Sequence, residues 1–169
     1  GRSRSNLDEA RAAGVIDRAV LREGPWGREL ADADIVLLAT PVGEFPALLA
    51  AMPGTLAEGA VVTDGGSTKQ DVVAAARAHL GAALPRFVPA HPIAGTEQSG
   101  AGAAFATLFE GRHAVLTPLP ETDATALARV RTLWEACGAD VVTLDAPTHD
   151  RILGAVSHLP HFLAAAYVA

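Results

Sequence analysis

Residues 60–80, AVVTDGGSTKQDVVAAARAHL, decide the fold class. A short run rich in β-branched residues, 60–63, stops at Asp64-Gly65-Gly66, and from Lys69 onward apolar positions recur at helical spacing. A strand that turns directly into a helix is the repeating unit of α/β proteins with a mostly parallel sheet. The pattern extends to both sides. Residues 35–40 (IVLLAT) form a continuous apolar strand halted by Pro41 and Gly43. Further strands are expected at 86–89, 113–117 and 140–144. An amphipathic helix over 124–137 places Leu127, Val130, Leu133 and Trp134 on one side and ends at Gly138. Near the N-terminus, SNLDEARAAG fits a helix capped by Ser5 or Asn6 and closed by Gly14, with residues 1–4 ending a preceding strand. From Thr148 the chain reads as helical, with a kink at Pro160.

Composition narrows the function classes. Of 169 residues, 50% are hydrophobic and 19% charged, which excludes disorder and supports a sizeable core. A net charge of −6 argues against a nucleic-acid or polybasic membrane surface. One cysteine, Cys137, leaves no internal disulfide or zinc-thiolate site. No run of about 18 apolar residues reads as a membrane span, and a cytoplasmic location is expected. The basic residues are twelve Arg and one Lys, so Lys69 stands out.

In open parallel sheets, ligands bind beyond the carboxyl ends of strands. Thr40-Pro41-Val42-Gly43, Asp64-Gly65-Gly66-Ser67-Thr68-Lys69 and His91-Pro92 all fall there. The two glycines allow close backbone approach, and Ser67 and Thr68 open a helix whose N–H groups favour anions. A plain strand-to-helix turn with a Ser cap explains the same residues, and the P-loop pattern does not match. His91 stands beside Gly95, Thr96 and Glu97, where an imidazole suits proton transfer; a structural histidine is the simpler alternative. In HDRILGAVSHLPH, Asp150 and His161 nearly eclipse at about 100° per helical residue, with His158 on an adjoining face. Two imidazoles and a carboxylate separated by a proline match zinc spacings poorly, so no metal is expected. In GRSRSN, Arg2, Ser3 and Arg4 supply cations and hydroxyls with no carboxylate before Asp8. After the second strand of a dinucleotide fold, that pattern favours a 2′-phosphate, hence NADP over NAD.

Five stretches in order, ADIVLLATPVG, VVTDGGSTK, FVPAHPIAGTEQSG, LFEGRHAVLTP and HDRILGAVSHLPH, resemble the prephenate dehydrogenase family, which also includes arogenate and cyclohexadienyl dehydrogenases. The resemblance covers most of the chain from Ala33. It implies a Rossmann-like NAD(P)-binding domain over residues 1–146, with the first βα unit and its Gly-rich fingerprint missing. Residues 147–169 would begin an all-α substrate and dimerisation domain. The implied reaction is oxidative decarboxylation of prephenate, with hydride transfer to NAD(P)⁺. His91 would be the catalytic histidine, drawing the proton from the 4-hydroxyl, and Ser67 would bond the same hydroxyl and steady His91. Thr96, Glu97, Asp150, His158 and His161 would form the substrate pocket. Thr40, Pro41 and Val42 would line the nicotinamide, with Asp64 and Gly66 in the same cofactor set. The intact protein would be a homodimer acting on a small molecule.

Two other readings stay open: an arogenate-preferring enzyme, and a non-catalytic Rossmann-like module for ligand binding. A metal-dependent hydrolase built on His158 and His161 is a distant third. The chain opens on Gly1 and closes on the apolar PHFLAAAYVA, and reads as a piece of a longer protein. Residues 1–169 alone are therefore expected to turn over poorly. Measurable turnover by residues 1–169 alone would overturn that expectation.

Overall fold

Every residue of the strand Val61–Asp64 (β2) is buried, as its apolar run predicts. It lies between Ile35–Leu38 (β1) and Phe87–Val88 (β3) in a parallel sheet, with Leu38 beside Asp64 and Thr63 beside Val88. The computed structural model describes residues 1–95 and 100–168. Two helices cover this sheet. Phe45–Ala50 (α2) has a proline in its first turn, where the missing N–H is harmless, and Gln70–His79 (α3) follows the Gly-Gly turn. Phe45, Leu49, Val62, Val72, Ala76 and Phe87 meet in one core.

A second sheet joins Ala90–Pro92 (β4), His113–Leu116 (β5) and Asp140–Thr143 (β6), with β4 antiparallel and β6 parallel to β5. Helix Ala124–Ala136 (α4) lays Ala126, Val130 and Trp134 against Ala90, Ala114 and Leu116 of this sheet and Val88 of the first. Asp123 caps it by accepting from the amides of Thr125 and Ala126. Gly138 then turns the chain at φ 81°, where a Cβ would lie 2.8 Å from Glu110 Cγ.

The strand expected at 86–89 is the shorter Phe87–Val88, and a separate strand, Ala90–Pro92, follows Pro89, which has no N–H to continue the ladder. A buried ion pair spans the break. Asp64 Oδ1 accepts from Ala90 N (3.0 Å), and its Oδ2 accepts from Gly66 N (2.8 Å) and the Lys69 ammonium. Lys69 Nζ also donates to Ala90 O at 2.6 Å. Both side chains have no exposed surface. Burial raises the Asp64 carboxyl and lowers the Lys69 ammonium from their ordinary ranges, and their mutual attraction opposes both shifts.

Both ends of the chain depart from expectation. Helix Arg4–Ala12 (α1) is capped by Ser3, whose Oγ accepts from Asn6 N at 3.3 Å, so the Ser3 oxygen replaces the Ser5 or Asn6 cap. Residues 1–4 are therefore no strand, although Gly1 exchanges backbone hydrogen bonds with Val20 and Arg22. Toward the C-terminus, Ala146–Leu153 (α5) and Leu159–Val168 (α6) are joined by a π-turn, Gly154–His158. The distortion precedes Pro160, since a proline lacks an N–H and its ring would press on the carbonyl four residues back. The wider turn, in which Leu159 N donates to Gly154 O, relieves that contact. Among the described residues, no helix is long and apolar enough to cross a membrane.

Lys69→Met leaves Asp64 as an uncompensated buried charge, and urea unfolding should show a loss of about 3–5 kcal/mol. Arg77→Ala, which breaks the exposed Arg77–Glu121 pair, should leave the urea midpoint nearly unchanged. Equal losses in the two variants would refute the structural role of the buried pair.

Candidate active site

An open cleft of about 930 Å³ lies where β4 leaves the second sheet. Ser67 comes to it from the turn before α3, His91 through Gly95 from β4 and the following residues, and Arg112 from the entry to β5. Leu153, Ser157, His158, His161 and Phe162 close it from the helical side. One wall is thus set by the sheets and the other by the C-terminal helix.

His91 is the most constrained polar group in this cleft. The residue before it, Ala90, is held at both N–H and C=O by Asp64 and Lys69. Its Nδ1 lies 2.9 Å from Nε2 of His149, with the two rings edge to face at 5.1 Å and 65°. His149 is fully buried on α5, and its Nδ1 lies 2.8 Å from Asp150 Oδ1. The Asp150 oxygens also accept from the amides of Lys69 (2.7 Å) and Gln70 (2.9 Å), so one carboxylate caps α3 and holds His149. Burial opposes the Asp150 charge, but the Gln70 amide, His149 and the Lys69 amide outweigh it, holding the carboxyl below its usual range. Burial pushes His91 down to about 4, helped by His149, Lys69 and His158 and opposed by Asp150. At neutral pH, His91 is therefore an uncharged imidazole facing a cleft.

Of the residues chosen from sequence, Ser67, His91, His158 and His161 share the cleft. Thr96 and Glu97 lie outside the described residues. Asp150 is a correction: its oxygens are taken up by α3 and His149, and the π-turn breaks the helical phase that aligned it with His161. Ser67 lines the cleft without a hydrogen bond to His91 among the described residues; His149 is what steadies that ring. Asp64 belongs to the buried ion pair and has no surface for a ligand. Gly66 is small for the sake of the protein itself, since a Cβ there would lie 2.8 Å from Val42 Cγ2 and 2.9 Å from Asp64 Oδ2. Val42 accordingly packs inward against the first core.

Arg2, Thr40 and Pro41 meet in a second cavity of about 410 Å³, beyond the carboxyl end of β1 and lined also by Leu38, Arg22 and Glu44. Ser3 is spent on the α1 cap, and Arg4 lies at a separate, smaller depression. Among the described residues, no three His, Cys, Asp or Glu side chains group as metal ligands.

Sequence reasoning missed His149 and Arg112. The signal for His149 was its spacing, four residues before Leu153 on the buried face of α5. Arg112 gave no signal beyond being a cation at a strand start.

The comparisons fit this arrangement. The profile described as prephenate dehydrogenase, nucleotide-binding domain, matches residues 1–143. Cyclohexadienyl dehydrogenase of Zymomonas mobilis is 38% identical over 133 residues, covering 79% of this chain and 45% of that protein. The crystal structure of Aquifex aeolicus prephenate dehydrogenase with hydroxyphenyl propionate and NAD⁺ superposes with a TM-score of 0.90 at 36% identity. That alignment covers 98% of this chain and 56% of the other. Synechocystis arogenate dehydrogenase gives 0.84 at 30% identity, over 99% and 57%. The chain spans less than half the length of the curated relatives it matches.

The pH dependence of His91 can be measured directly. Its NMR titration should centre near 4. An unfolded histidine titrates near about 6.5, so between these values the unfolded chain binds more protons. The contribution of His91 to stability is complete above pH ~6.5 and is lost as pH falls toward 4. Urea unfolding at pH 7 and pH 5 should show this loss, and His91→Asn should reduce it. A His91 midpoint at or above about 6.5 would contradict the burial argument.

Proposed function

The chain belongs to the prephenate dehydrogenase family, and we propose that the protein carrying it converts prephenate to 4-hydroxyphenylpyruvate by oxidative decarboxylation. The observation that carries this reading is the His91 imidazole on the cleft wall, with one nitrogen engaged by His149 and the other without a hydrogen-bond partner among the described residues. His91 takes the proton of the ring 4-hydroxyl as the hydrogen on that carbon departs as hydride, and loss of the carboxylate as CO₂ aromatises the ring. Ser67 bonds the same hydroxyl from the opposite loop. His158, His161 and Arg112 bring positive or hydrogen-bonding groups to a dicarboxylate substrate.

The second cavity suits a nicotinamide nucleotide, since it combines aliphatic walls with a guanidinium at the carboxyl end of β1. Arg2, Thr40 and Pro41 would hold the nucleotide, which when bound supplies the hydride acceptor. Arg2 supports NADP over NAD. We read residues 1–146 as the nucleotide-binding part and residues 147–169 as belonging to a helical domain. Val156 in the π-turn and Leu159, Phe162, Leu163 and Tyr167 on α6 are exposed, which supports a homodimer of the intact protein. A cytoplasmic location fits a water-soluble substrate and cofactor. The likeness to the Synechocystis arogenate dehydrogenase favours arogenate as the second candidate substrate.

The full-length protein should reduce NADP⁺ faster than NAD⁺ in the presence of prephenate. His91→Asn should lower kcat about 10²- to 10⁴-fold. Turnover with arogenate alone would keep the mechanism and change the substrate. No reduction with either substrate and either cofactor would leave a ligand-binding module.

A further inference from the structure

Asp150, His149 and His91 form an unbroken line from a helix cap to the cleft, and the donors and acceptors along it can be assigned. An ionised carboxylate only accepts hydrogen bonds, and Asp150 is held in that form by the amides of Lys69 and Gln70. The His149 nitrogen facing it, Nδ1, therefore carries a proton. A neutral imidazole has a single N–H, so Nε2 of His149 is a bare acceptor. His149 has no exposed surface, and a second proton there would place an imidazolium in the core beside another imidazole. The 2.9 Å contact to His91 is then a hydrogen bond only if His91 Nδ1 is its donor. That leaves Nε2 of His91 bare.

We infer that His149 is a positioning residue that fixes the tautomer of His91, so that His91 presents an Nε2 lone pair to the cleft. The inference rests on the reading of His91 as the base for the substrate hydroxyl, and explains why that ring is ready to accept a proton. The opposite tautomer would turn an N–H toward the substrate and could not act as a base. Among the described residues, the charged and titratable groups around the pair are Asp150 on α5, Lys69 before α3 and His158 in the π-turn. None of them supplies an alternative hydrogen bond to His91 Nδ1 among the described residues.

Ring-¹⁵N histidine labelling of the full-length protein, read without substrate at a pH near 8, tests this directly. Long-range ¹H–¹⁵N correlations should show His91 and His149 each protonated at Nδ1 and bare at Nε2. In His149→Phe, nothing sets the His91 tautomer, so its two nitrogens should shift toward averaged values. The same variant should lose about 100-fold or more in kcat with little change in KM. His149→Gln, whose amide oxygen can accept from His91 Nδ1, should recover part of both effects. An Nε2–H on wild-type His91, a doubly protonated His149, or an unchanged His91 tautomer in His149→Phe would each overturn the inference. The tautomer is read without turnover, so the stated pattern in a protein inactive on prephenate and arogenate would sink the proposed reaction and leave the relay standing.

Discussion

The Asp64–Lys69 pair joins what Pro89 separates. A proline between β3 and β4 removes the N–H that would have carried the first sheet into the next strand. The Asp64 carboxylate takes the following N–H instead, and the Lys69 ammonium takes the matching carbonyl, both on Ala90. The two sheets thus meet at this side-chain clamp as well as in the shared core around Val61, Val88 and Ala90, and His91 begins one residue beyond the clamp. Such a pair gains much of its value from being complete, because either partner alone would be a bare charge in the core. It also explains the lone lysine of an arginine-rich chain: a compact ammonium on a flexible stem meets two oxygens within a turn too tight for a planar guanidinium.

Asp150 does for the helices what Asp64 does for the sheets. It sits on α5 yet caps α3, so two helices distant in sequence are fixed to one another through a carboxylate. The same oxygens orient His149, which in turn orients His91. The histidine therefore receives its position from the sheet side through Ala90 and its ring orientation from the helix side through His149. Fixing a reactive group from two directions keeps its geometry without spending any of its own cleft-facing atoms. The three groups that lower the proton affinity of His91 after burial all belong to this framework or to the cleft wall, so its neutrality follows from the fold.

The alternation of strands and helices was legible because buried strands must be apolar and the helices between them must be amphipathic. The apolar run at 60–63, the Gly-Gly turn and the helical spacing after Lys69 all have counterparts in the structure. Boundaries that depend on which oxygen reaches which amide were less legible. Ser3, Ser5 and Asn6 are all competent caps, and only the path of the chain selects Ser3. The proline at position 160 announced a distortion, but the turn that absorbs it lies upstream, where the carbonyl it would strike is located. In the site, His91, Ser67, His158 and His161 were readable as polar residues at strand ends or on one helix, and they do share a cleft. Asp64 and Gly66 looked like ligand contacts because polar and small residues at a strand end usually are, yet here they serve the core.

By itself the sequence determined the layered α/β architecture, the family and the histidine at the head of the cleft, since each is written in periodicity or in a contiguous motif. Tertiary structure alone decided the partnerships: Lys69 with Asp64, Asp150 with α3, and His149 with His91. These residues lie 5, 81 and 58 positions apart. Periodicity places a side chain on a face of its own element, but which group it meets there is settled only when that face is buried against another.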